Sequence, residues 1–136
     1  MSTNKALLII ISALIVVAAL TQSPVGGNWE SKIDTQGAIT VKVTPAELSP
    51  EATEWKFDVG LNTHSVELNQ DMTKNAVLID SYGKEYRPLG WEGAPPEGHH
   101  REGFLIFKSI TPTPKFVELR ILNIDAPVRS FVWDII

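Results

Sequence analysis

Period-two alternation of apolar and polar residues governs most of the chain after residue 38. Ile39, Val41 and Val43 alternate with Thr40 and Lys42, and Trp55, Phe57, Val59 and Leu61 alternate with Lys56, Asp58 and Gly60. Val117, Leu119 and Ile121 alternate with Glu118 and Arg120, and Phe131, Trp133 and Ile135 close the chain in the same way. Successive side chains of an extended strand point to opposite faces, so each segment offers one face to a core and the other to water. Two segments, 76–79 and 104–107, are more uniformly apolar and are expected to be central strands. Ser81-Tyr82-Gly83-Lys84 reads as a turn that joins the first of them to a hairpin partner over 85–91. A helical period is confined to possible short turns at 45–48 or 69–74. The pattern predicts an all-β fold, an antiparallel immunoglobulin-like β-sandwich of about seven strands. The Cys pair usual in such domains is absent, so the expectation concerns architecture alone.

The N-terminus breaks the alternation. From Ala6 to Leu20 only Ser12 is not apolar, and no charge appears between Lys5 and Glu30. Such a run predicts one hydrophobic helix that targets the chain to a membrane. It is close to the upper limit of a cleavable signal and slightly below the length of a spanning helix; an uncleaved anchor over 1–20 is the preferred expectation. Lys5 and the terminal amine keep the N-terminal end in the cytoplasm by the positive-inside rule, which places the rest of the chain outside. Were the segment cleaved, the domain would be secreted. Thr21 to Asn28 (TQSPVGGN) is rich in Gly, Ser and Pro and opens a linker expected over 21–36, followed by the sandwich over 37–136.

Composition narrows the function. The chain has 136 residues and a formal net charge of −4, with all its acidic residues after residue 20. One domain of this size can bury a sufficient core without cross-links. A mildly acidic surface with no Lys/Arg cluster argues against nucleic acid and against docking on anionic lipid. The absence of Cys removes disulfides, thiolate metal sites and Cys nucleophiles together.

Candidate chemistry falls on a few residues. His64 ends the strand that begins near Trp55, and His99 and His100 close the loop WEGAPPEGHH before the Phe104 strand. Imidazole is a common ligand for copper and zinc, so His64 with one of the pair, and a carboxylate such as Glu97 or Glu102 or a water, is a possible metal site. Such a site requires the two strands to be antiparallel neighbours. His64 and Ser65 face opposite ways on a strand and make a poor nucleophile–base pair, and no Gly-rich loop precedes a helix to cradle phosphate; the chain is not expected to be an enzyme. Trp91 and Tyr82 are the aromatics expected to be exposed, able to stack on a sugar or fill a partner's pocket, although for Trp91, which continues the alternation of Arg87 and Leu89, covering the open edge of the core is the preferred reading.

The segment Phe57-Asp58-Val59-x-Leu61-x-Thr63-His64-Ser65-Val66-x-Leu68, with Trp91-x-Gly93, Gly98-His99-His100-Arg101-x-Gly103 and the closing Phe131-Val132-Trp133-Asp134, resembles a group of uncharacterised exported or membrane-anchored prokaryotic proteins. The resemblance spans roughly residues 53 to 134. It implies a small β-sandwich and brings no activity or cofactor with it. Together these readings lead to an extracytoplasmic, non-catalytic binding or accessory module, with a protein partner expected in the envelope, as for a subunit of an envelope complex. The alternative is a copper- or zinc-binding envelope protein built on the histidines.

Overall fold

Strand parity sorts the side chains before any packing is considered. The computed structural model describes residues 29–136, and among these the chain forms nine strands and no helix. They are β1 (Lys32–Gln36), β2 (Ile39–Glu47), β3 (Glu54–Thr63), β4 (Ala76–Asp80), β5 (Glu85–Tyr86), β6 (Gly90–Gly93), β7 (His100–Lys108), β8 (Phe116–Leu122) and β9 (Val128–Asp134). The expected hydrophobic helix over 1–20, and residues 21–28 of the expected linker, lie outside the described residues. Among the described residues no helix is long and apolar enough to cross a membrane.

Two antiparallel sheets result, in the orders β1-β2-β3-β7-β6 and β5-β4-β8-β9. Their inner faces share one core, a β-sandwich-like arrangement. Val41, Val43, Phe57, Val59 and Leu105 come from the first sheet, and Leu78, Leu119, Ile121, Phe131 and Trp133 from the second. Phe57 meets Phe107 edge to face at 5.8 Å and Trp133 across the sheets at 5.6 Å. Aromatic pairs of this geometry add about 0.5–1.5 kcal/mol to the burial of their area. The seven residues Trp55, Phe57, Val59, Leu119, Ile121, Phe131 and Trp133, which alternation assigns to one core, are all buried there.

The strand count exceeds the expected seven for two physical reasons. The first is β1, which lies inside the expected linker. Its apolar residue, Ile33, is 64% exposed, while Lys32, Asp34 and Gln36 take the inward positions. A strand whose inner face is polar leaves no hydrophobic period to read. Those inward side chains instead bond the free edge of β9: Lys32 Nζ donates to Val132 O and Gln36 Nε2 to Val128 O. Trp29 Nε1 donates to Asp134 O from just ahead of β1. The second is the expected single hairpin partner over 85–91, which is divided between the sheets. Glu85–Tyr86 pairs with β4, whereas Gly90–Gly93 pairs with β7. Pro88 carries no N–H for a ladder, so the chain leaves one sheet and joins the other around it. The helical turn considered at 45–48 is instead mostly strand, with an irregularity between Pro45 and Glu47.

β4 is central and wholly buried, as its composition predicts. β7 is central as well, but it alternates: Phe104 points outward and is 36% exposed. The β3–β7 register sets Asn62 opposite His100, with Leu61 opposite Arg101. The two histidine-bearing segments are therefore on antiparallel neighbours, as the metal reading requires.

Candidate functional site

The parity of β7 separates adjacent residues at its start. His100, Glu102 and Phe104 take the outer face, while Arg101, Gly103 and Leu105 turn inward. Beside them, β6 brings Gly93 opposite Gly103. A Cβ on Gly93 would stand 2.3 Å from Gly103 Cα, and one on Gly103 would stand 2.6 Å from Trp91 Cζ2. The two glycines let the strands approach and let the indole of Trp91 lie across β7. Its Nε1 donates to Ala94 O at 2.9 Å, and the guanidinium carbon of Arg101 sits 5.5 Å from the ring centroid.

Arg101 is 1% exposed. Its Nη1 donates to Gln70 O at 2.8 Å and to Leu68 O at 3.3 Å, and Nη2 donates to Ala94 O at 3.3 Å. The guanidinium thereby ties the β3–β4 connection to the loop after β6. It reaches no carboxylate at ion-pair distance among the described residues. Nε has no partner, and neither has the buried Oε1 of Gln70. Burial pushes the guanidinium below the usual arginine range, and the charge of Asp71 opposes that shift. A buried, unpartnered donor costs about 1–3 kcal/mol, and an uncompensated buried charge costs more.

A cavity of about 300 Å³ opens against this group. Met72, Trp91 and Pro96 provide its apolar wall; Asn69, Gln70, Asp71 and Arg101 its polar one. The wall is fixed from below, where Leu68 and Met72 are buried in the core. Gly98, at a φ of 83° that favours glycine, sets the loop against the β3–β4 connection. Its N–H donates to Glu67 Oε2 at 2.8 Å, and its carbonyl accepts Leu68 N–H at 2.9 Å. Asp71 lies at the exposed rim, its carboxyl held below the usual range by the Thr73 hydroxyl and N–H.

The histidines line none of this cavity. His64 is exposed just past β3, and the carbonyl of His99 accepts the N–H of Thr63 at 3.0 Å, so the two backbones are close. His100 faces outward, its Nδ1 2.6 Å from Asn62 Oδ1. Among the described residues no three His, Asp or Glu side chains are gathered as a metal ion requires. His100 does border a second cavity, on the outer face, with Lys42, Asp58 and Glu102. Asp58 is raised there by burial first, then by the charge and hydrogen bond of Glu102, with Lys42 opposing. Tyr82 is 84% exposed on the β4–β5 turn and shares no pocket with Trp91.

Searches against protein-family models, curated proteins and solved structures find no match. The site is read from its geometry. Of the residues expected to bind a partner, Trp91 belongs to it; Arg101, Gln70 and Met72 carry no such expectation from the sequence. One signal was available for Arg101. It occupies the inward parity shared by Gly103, Leu105 and Phe107, where a charge is out of place.

Proposed function

We propose that this chain is a membrane-anchored, extracytoplasmic, non-catalytic binding module of immunoglobulin-like architecture, with its ligand seat in the cavity between Arg101 and Trp91. The observation that carries the reading is that Arg101 and Gln70, which both line one cavity, each hold a buried side-chain atom with no partner, Nε and Oε1. Buried polar groups are nearly always bonded, and an unpartnered donor and acceptor on residues that line a half-apolar cavity are groups that an entering ligand can satisfy. The immunoglobulin-like reading is supported by strand order. β2-β3-β7-β6 takes the places of strands A, B, E and D, and β5-β4-β8-β9 those of C′, C, F and G, with β1 added beyond A. The anchor rests on the uncharged apolar run Ala6 to Leu20, and membership in the exported prokaryotic group rests on the Thr63-His64-Ser65 and Gly98-His99-His100-Arg101 segments.

The test is direct observation of the Trp91 indole N–H resonance in the full-length chain, assigned with Trp91→Phe, while small polar and amphiphilic compounds are titrated. Saturable shifts of that resonance are expected. If no compound class moves it, the cavity is not a ligand seat.

A second reading, a copper- or zinc-binding protein using His64, His99 and His100, is supported by the backbone bond from Thr63 to His99, which keeps their segments together. It predicts stoichiometric copper or zinc in the purified chain, reduced by His64→Ala. Metal-free protein that takes up neither ion on titration excludes it.

A further inference from the structure

We infer that the Arg101 cavity takes a small carboxylate carried on an apolar or aromatic body, an inference that rests on the binding reading above and names its ligand class. The buried guanidinium has three carbonyl partners and no carboxylate within ion-pair distance among the described residues, so its charge is offset only by Asp71 at the rim of the cavity. A neutral polyol could meet the open hydrogen bonds but would leave that charge unmatched. A carboxylate supplies both, because charge-assisted bonds from a guanidinium to carboxylate oxygens are among the strongest available.

The geometry suits two acceptor oxygens. One would accept from the unpartnered Nε–H of Arg101, which is buried and is reached when the side chains around it shift. The other faces Gln70, whose amide turns end for end to present NH₂ where Oε1 now stands unpartnered. The bonds to Leu68 O and Ala94 O are both 3.3 Å, long enough to be the ones a stronger acceptor displaces. The remaining wall, Met72, Trp91 and Pro96, has no charge and suits a flat or branched hydrocarbon. Inorganic phosphate fits less well, because no lysine and no second arginine lines the cavity. Asp71 offsets the preference only in part, since it sits at the exposed rim, where water screens its charge, and makes no ion pair with Arg101.

The test titrates acetate, isovalerate, phenylacetate, phenylacetamide, inorganic phosphate and glucose into the full-length chain and follows the Trp91 indole resonance. Phenylacetate should bind at least about tenfold more tightly than phenylacetamide, the loss expected when a charge-assisted bond becomes a neutral one. Affinity should rise from acetate through isovalerate to phenylacetate. Gln70→Leu, on the half-buried connection, should weaken phenylacetate severalfold without lowering the melting temperature, since it also removes the unpartnered Oε1. Equal affinity for the acid and the amide, tighter phosphate than phenylacetate, or indifference to Gln70→Leu would each overturn the carboxylate while leaving a binding module. Silence of the resonance towards every compound overturns both.

Discussion

Arg129 and Arg101 are equally buried, each 1% exposed, and both lie at the end of the sandwich where β3 finishes. Their partner sets differ. Arg129, on β9, uses all three nitrogens. Nε donates to Ile124 O at 3.2 Å, Nη1 to Ile39 O at 3.0 Å and Asp34 O at 3.1 Å, and Nη2 to Ile124 O at 2.8 Å and Gln36 O at 2.9 Å. The Asp34 carboxylate, 3.4 Å from Nη1, supplies its counter-charge. This arginine closes the joint between the β1–β2 and β8–β9 turns, where Asp125 also accepts the N–H of Ala38. Arg101 joins two connections with fewer bonds, no counter-ion and an open Nε. A complete set of partners makes a buried charge part of the framework. An incomplete set beside a cavity leaves it available to something else.

Substitution measures the contrast. Arg129→Met strips the joint, takes the guanidinium from several carbonyls and leaves the Asp34 carboxylate with the Gln36 amide but without its counter-charge. The expected loss is about 3–5 kcal/mol in chemical denaturation, comparable with Phe57→Ala in the core. Gly103→Ala should cost about 1–3 kcal/mol, because the new methyl meets Trp91 and Glu92 O. It should also move the Trp91 indole resonance, a readout that a general loss of stability would not localise. Arg101→Met should cost less, about 1–2 kcal/mol, since removing the charge also removes the penalty of burying it. If Arg101→Met proved as costly as Arg129→Met, both arginines would be framework and the cavity reading would fail.

The smallest effect concerns two carboxyls with opposite shifts. Asp58 is raised by burial and by Glu102, so the native state holds its proton more tightly than the unfolded chain. Its contribution is present below the ordinary aspartate value of about 3.9 and is lost as pH rises through the higher folded value. Asp58→Asn should therefore stabilise at neutral pH by less than about 1 kcal/mol, a gain that vanishes in acid. Burial also pushes Asp80 upward, but the N–H groups of Lys84 and Tyr82 and the Tyr86 hydroxyl outweigh it and leave the group lowered. Its contribution is present above the ordinary value and disappears as pH falls through the folded one, so Asp80→Asn should destabilise at neutral pH and not in acid. Denaturation of the two variants across pH 2–8 (a range set by the carboxylate values) checks both signs. Parallel profiles would show that neither carboxyl senses its neighbours.

The alternating segments of β2, β3, β8 and β9 reveal the all-β class and the core without reference to any distant contact. Side-chain direction on a strand is a local property with a period of two, so Trp55, Phe57, Leu119 and Trp133 declare their face wherever the strand is placed. Tertiary structure decided what local pattern does not contain. β1 is a strand because β2 receives it and because Lys32 and Gln36 find the edge of β9; its own period shows nothing apolar inside. The segment 85–91 is divided because the two sheets present edges on either side of Pro88. The histidines received neighbouring strands but no shared ligand set among the described residues, and the site formed one residue farther on, on the opposite face. Whether a buried arginine is a joint or a seat depends on which carbonyls and carboxylates other strands bring to it. Arg101 and Arg129 show that dependence most plainly, because a guanidinium's partners are set by pairings far away in the chain, while its inward direction is set by its place on its own strand.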